Sequence, residues 1–115
     1  MYDKLVLVCG GRDFNDSNAL FAAMDRVRSR IWCVMHGGCK GADMLADEWA
    51  RSNGLHRARI DALWDQYGNG AGPLRNQIMA RFEPDVLIAF PGGRGTAGMI
   101  ELCQERNIKI WRPLG

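Results

Sequence analysis

A chain of 115 residues with 47% apolar and 24% charged side chains has the size and balance of one globular domain around one core. Its net charge is only +2 and its basic residues are scattered, which argues against a dedicated nucleic-acid stripe but not against a single phosphate pocket. No apolar run reaches the roughly eighteen residues of a membrane span, and no basic leader precedes an apolar stretch, so neither membrane insertion nor secretion is expected.

Leu5–Cys9 is a continuous apolar, β-branched run stopped by Gly10-Gly11, the pattern of a strand buried on both faces. Asn15, Asp16 and Ser17 are candidate caps for a helix whose face is Leu20, Ala23, Met24 and Val27. Ile31–Met35 is a second strand-like run, stopped by His36-Gly37-Gly38. Ala42, Leu45, Ala46 and Trp49 mark a second helix that ends at Asn53-Gly54. A weak third strand covers Arg57–Ile60, and Asp61–Gly72 reads as a polar, glycine-rich loop. Pro73 suits the first position of a third helix running through Phe82, with Leu74, Ile78 and Arg81/Phe82 on its inner side. Val86–Phe90 is the clearest buried strand. A Gly93–Gly98 loop, a fourth helix to about Arg106 and a short strand at Ile108–Trp111 follow. Trp32, Trp49, Met24 and Met79 read as core or subunit contact.

Alternating strands and helices predict an α/β fold: a Rossmann-like, doubly wound parallel sheet of about five strands with helices on both faces. Right-handed crossovers favour the order 3-2-1-4-5, with 2-1-3-4-5 as the alternative. Cys9, Cys33, Cys39 and Cys103 form no C-x-x-C pair, and three lie in apolar segments, which points to reduced thiols in a cytoplasmic protein.

In such a sheet the turns after the strands share one edge, where ligands bind at the point of reversed winding. Four segments belong there: Gly10-Gly11-Arg12-Asp13, His36–Asp43, Asp61–Gly72 and Pro91–Gly98. Order 3-2-1-4-5 puts the first and fourth strands side by side, so their Gly-Gly turns should face one pocket and aim amides at an anion. Gly10, Gly11, Gly37, Gly38, Gly41, Gly92, Gly93 and Gly95 are therefore phosphate-loop candidates. Thr96 adds a hydroxyl, and Arg12, Lys40, Arg75 and Arg94 add positive charge. Arg75 falls in the first turn of the predicted third helix, a poor place for a cation unless an anion joins it. Trp64 and Tyr67 are aromatics in a polar loop, suited to stacking on a base.

Gly93–Gly98 matches G-x-G-x-x-G, but it follows the fourth strand, and the chain holds no downstream acidic residue at the spacing that reads a ribose. A Walker loop is absent. His36, Cys39 and Asp43 have no standard metal-ligand spacing, and neither metal nor cofactor is expected.

Pro91-Gly92-Gly93-Arg94-Gly95-Thr96 resembles the P-G-G-x-G-T-x-x-E signature of the LOG or lysine-decarboxylase-like phosphoribohydrolases. Arg75-Asn76-Gln77-Ile78-Met79 is similar to the R-[KN]-x-x-M element of their preceding helix. Three further motifs, Val8–Phe14, His36–Asp43 and Trp64–Asn76, are similar to the YspA branch of this superfamily, the SLOG proteins. The resemblance implies a Rossmann-like fold, binding of a nucleotide or nucleotide-derived signal involving Asn76 as well as Arg75, and a homodimer. At the position of the hydrolases' glutamate stands Met99, while Glu101 falls about 200° around the helix from it. Asp13 and Asp43 are the substitute carboxylates. Asp43 reads more readily as a clamp on backbone amides, whereas Asp13 reads equally as a structural residue, paired with Arg12 or capping the first helix, and as a ligand-binding one. A binding module or sensor is the leading expectation. A hydrolase of nucleoside 5′-monophosphates using Arg75 with Asp13 or Asp43 is the competing one. Single-stranded DNA binding lacks the extended basic groove with interleaved aromatics that it needs.

Overall fold

In a computed structural model, which describes residues 3–115, five parallel strands form one sheet in the order β3-β2-β1-β4-β5. The strands are β1 (Lys4–Cys9), β2 (Ile31–His36), β3 (His56–Arg59), β4 (Val86–Ala89) and β5 (Lys109–Trp111). The helices are α1 (Ser17–Asp25), α2 (Ala42–Ser52), the short α3 (Trp64–Tyr67), α4 (Ala71–Arg81) and α5 (Arg94–Glu105). This is the expected Rossmann-like order. Met1 and Tyr2, read as the lead into the first strand, lie outside the described residues.

Strand side chains alternate between faces, and the two cores follow that alternation. Val6, Val8, Val34, Ile88 and Phe90 pack with Leu20 and Met24 of α1 and Trp49 of α2. Leu7, Cys9, Met35, Leu87 and Ala89 pack with Met79 of α4 and with Met99 and Cys103 of α5. Each large side chain removed from water in this way contributes about 1.5–3 kcal/mol. Trp49 keeps its one donor satisfied by a 2.8 Å hydrogen bond to Asp25 Oδ1. Of the three cap candidates for α1, Asp16 takes the role, accepting from the Ala19 amide at 3.0 Å.

Several expectations need correction. The segment read as a loop over 61–72 contains α3 and the first two residues of α4. Pro73 is the third helical residue rather than the first, which a helix tolerates because its first amides have no internal acceptor. Arg75 consequently sits in the second turn of α4, not the first. The inner face of α4 is Ala71, Arg75, Met79 and Ala80, whereas Ile78 and Phe82 are exposed. The stripe Leu74–Ile78–Phe82 is rotated by one residue, about 100°, from the face that packs. Helix α5 begins at Arg94, inside the stretch read as a Gly93–Gly98 loop. Burial of Thr96, Met99 and Cys103 at helical spacing outweighs a propensity penalty of about 1 kcal/mol for each of its two glycines. Trp32 stands outside the core, beside the His56 ring.

The backbone at Gly41 has φ 82°, and a Cβ there would fall on the Gly11 carbonyl oxygen. Gly41→Ala is expected to lower the unfolding free energy by at least about 2 kcal/mol, read as a reduced urea midpoint with an unchanged slope.

Candidate functional site

The turns after β1, β2 and β4 meet at one rim, and Gly11 joins them. Its amide donates to the Pro91 carbonyl at 2.8 Å, and its carbonyl accepts from the Ala42 amide at 3.3 Å. A Cβ at Gly11 would lie 3.1 Å from the Pro91 oxygen and 3.2 Å from Gly92 Cα, closer than a side chain comfortably allows. The two Gly-Gly turns are therefore adjacent, as the strand order requires. Their amides are not arranged as expected, because Gly11 donates into the protein.

The turn after β2 is likewise held from within. Asp43, near the start of α2, is 7% exposed, and its Oδ2 accepts from the amides of Gly37 at 3.0 Å and Cys39 at 3.3 Å. Burial pushes its carboxyl up from the ordinary range, against the pull of those two amides and of Arg75. The amide-clamp reading of Asp43 is the one the geometry bears out. His36 is fully buried, and its Nδ1 accepts from the Gly38 amide at 3.0 Å. That bond assigns the ring proton to Nε2, which donates to Asp47 Oδ1 at 2.8 Å. Asp47 Oδ2 accepts in turn from Arg57 at 3.0 Å. Burial alone would raise the Asp47 carboxyl, but the hydrogen bonds from His36 and Arg57 prevail and hold it below the usual carboxylate value. The His36–Asp47–Arg57 chain was not read from sequence. Its signal was the pair Asp43 and Asp47, one turn apart beside the apolar face of α2.

Arg75 is 9% exposed. Its Nη1 donates to the Gly37 carbonyl at 2.6 Å, its Nε to Asn76 Oδ1 at 2.9 Å and its Nη2 to Cys39 Sγ at 3.7 Å. All three acceptors are neutral, and among the described residues no carboxylate lies within 4.0 Å of the guanidinium. A buried cation with no carboxylate in contact, and only the longer-range attraction of Asp43, is costly, and an anion would relieve it. Across the cleft, α5 opens with Gly93 as its N-cap and with no side-chain cap. Its first internal bond runs from the Ala97 amide to the Gly93 carbonyl, so the amides of Arg94, Gly95 and Thr96 precede that first rung.

Gly10, Gly11, Arg12, Asp43, Trp64, Arg75, Asn76 and the run Gly93–Thr96 line one cleft of about 640 Å³. Met79, Met99 and Leu102 form its apolar wall. An adjoining cavity of about 540 Å³ is lined by Asp13, Gly37, Gly38 and Lys40, together with Arg12, Trp64 and Arg75 again. Gly41 is packed beneath Gly11, and Gly92 lies on a separate groove with the exposed Glu101. Met99, at the position of the hydrolases' glutamate, is buried against the main cleft.

Residues 5–67, from β1 through α3, match the YspA, cpYpsA-related SLOG family. The chain belongs to this family. The matched span carries Gly11, the Asp43 clamp and Trp64, whereas Arg75 and α5 lie beyond it. The chain is also 37% identical to the Gene 61 protein of Mycobacterium phage D29 over 121 aligned positions, which cover 93% of this chain and 94% of the relative. No helix among the described residues is long and apolar enough to cross a membrane.

Because the Asp47 carboxyl is held below its ordinary 3.8, its contribution is fully present above that pH and is lost as pH falls through the lower folded value. Asp47→Asn is expected to destabilise the protein by about 1–2 kcal/mol at neutral pH. The gap from the parent should narrow below pH 3.8, measured as unfolding free energy against pH.

Proposed function

We propose that the cleft binds a nucleotide or nucleotide-derived small molecule through its phosphate and that the protein is a binding module or sensor. The observation that carries this reading is the buried Arg75 guanidinium, which has only neutral acceptors and faces the uncapped start of α5 across the cleft. A phosphate between them takes charge-assisted hydrogen bonds from Arg75 and amide bonds from Gly95 and Thr96. Gly93 and Arg94 flank it. Arg94, exposed in the first turn of α5, is a poor neighbour for the helix dipole unless an anion is present. The apolar wall and the half-exposed Trp64 suit a base, and a volume of about 640 Å³ is in the range of small-molecule sites. Hydrolysis is disfavoured: Met99 offers a thioether, Asp43 is engaged by two backbone amides, and Asp13 lines the adjoining cavity rather than the main cleft. The four cysteines are free thiols, in keeping with a reducing cytoplasm.

The test is thermal unfolding against a panel of nucleotides. A ligand at a hundred times its dissociation constant adds about 2.7 kcal/mol, and a panel that leaves the melting temperature unmoved overturns the reading. Arg75→Lys, which keeps the charge but loses the planar fork, is expected to weaken binding at least about ten-fold, and no free base should be released by either protein.

We further propose that the protein is a homodimer that pairs through α4. This helix is apolar on two sides, and its outer stripe leaves Ile78 and Phe82 exposed and Leu74 half-buried. About a two-fold axis at Ile78, Leu74 of one copy meets Phe82 of the other. Sedimentation velocity should give a dimer for the parent and a monomer for Phe82→Glu, and a monomeric parent overturns the assignment.

A further inference from the structure

The main cleft does not end at Arg75. It continues into the adjoining cavity of about 540 Å³, and the two share Arg12, Cys39, Trp64 and Arg75 along their boundary. The second cavity is more polar than the first, whose lining is largely apolar. Lys40 and Arg59 join Arg12 and Arg75 in its wall. Arg59 is neutralised by Asp61, at 2.7 Å. Arg12, Lys40 and Arg75 then face a single remaining carboxylate, Asp13, and two positive charges are in excess. Among the described residues neither Arg12 nor Lys40 has a carboxylate within 4.0 Å. The wall amides of Gly37 and Gly38 point into the protein, towards Asp43 and His36, so any anion here must be held by side chains. The indole of Trp64 is seated over Gly72, where a Cβ would lie 3.2 Å from its ring, and it borders both cavities.

We propose that this second cavity is an anion subsite, and that the ligand is a nucleotide carrying two phosphoryl groups. One group lies at the start of α5, the other lies between Arg12 and Lys40, and Arg75 reaches both. The inference rests on the reading of the main cleft as a nucleotide site and adds the ligand's second charge to it. A 5′-diphosphate and a 3′,5′-bisphosphate present the same chemistry from different ends of the nucleoside, and the cavity's continuity with the cleft admits either.

Isothermal titration of the full chain with the four nucleoside 5′-monophosphates decides the first step. The 5′-diphosphate and 3′,5′-bisphosphate of the tightest base are then compared with that monophosphate. At least one of them is expected to bind about ten-fold more tightly, the worth of one charge-assisted hydrogen bond to a phosphate. Which of the two does so identifies the end that enters the subsite. In Lys40→Ala, whose exposed side chain leaves the fold intact by its melting temperature, the affinity ratio should fall to about one. If the monophosphate binds and neither two-phosphate form binds more tightly, the subsite is refuted while the nucleotide reading stands. If the ratio survives both Lys40→Ala and Arg12→Ala, the second group lies elsewhere and the proposal is refuted. If none of the probes binds, both readings fall.

Discussion

The rim of this protein is organised by the contact between three backbone turns at Gly11. One residue donates to the turn after β4 and accepts from the start of α2. Such bonds require the chains to approach at main-chain distance, which crowds a Cβ at Gly11 and leaves no room for one at Gly41 below it. The consequence reaches well beyond the turn itself. With the three turns fastened together, the start of α5 and the buried face of α4 lie on opposite sides of one cleft rather than on separate loops.

Behind that rim lies a layer of buried charge that sets the shape of the turn after β2. Asp43 gathers two amides, and His36 receives a third while passing its own proton towards Asp47. These bonds satisfy the turn from inside and fix the Gly37 carbonyl, which in turn fixes the Arg75 guanidinium. Backbone donors that sequence reasoning assigns to a ligand are thus used to build the wall. In the proposed mode of binding, the burden of meeting an anion passes to side-chain cations, Arg75 first, and to the first turn of α5. Glycine-rich turns serve two different ends here: close packing at Gly11 and Gly41, and an open helix start at Gly93–Gly95.

Much of the fold was legible because strands buried on both faces write themselves as uninterrupted apolar runs. Leu5–Cys9, Ile31–Met35 and Val86–Phe90 each do so, and the parallel order follows from their alternation with helices. The errors have specific causes. Helix α4 carries two apolar stripes, and the more hydrophobic one, Leu74–Ile78–Phe82, is the less covered, with Ile78 and Phe82 exposed; the packed face is made of small residues, a methionine and an arginine. Helix α5 starts in glycine-rich sequence because tertiary burial, not local preference, decides its first turn. Arg75 and Asp43 were singled out as site residues from sequence. Their buried roles, and the relay through Asp47, depend on which helix turn faces the sheet, and that is fixed only when the layers pack.

The winding of the sheet also decides which parts of the chain the cleft joins. Strand β2 pairs with β1 and β3 with β2 on one side, each after a single α-helix, but β4 must return to the other side of β1, and the Leu5 amide is bonded to Asp85 across 80 residues of chain. A contact of such sequence separation carries the larger loop-closure cost in a fold of this kind. Gly10–Arg12, Cys39 and Asp43 come from the part of the chain before that crossing, and Arg75 and Gly93–Thr96 from the part that makes and follows it. A ligand bound as proposed spans the seam between these parts, so its binding energy resists the detachment of β4 as fully as it resists complete unfolding.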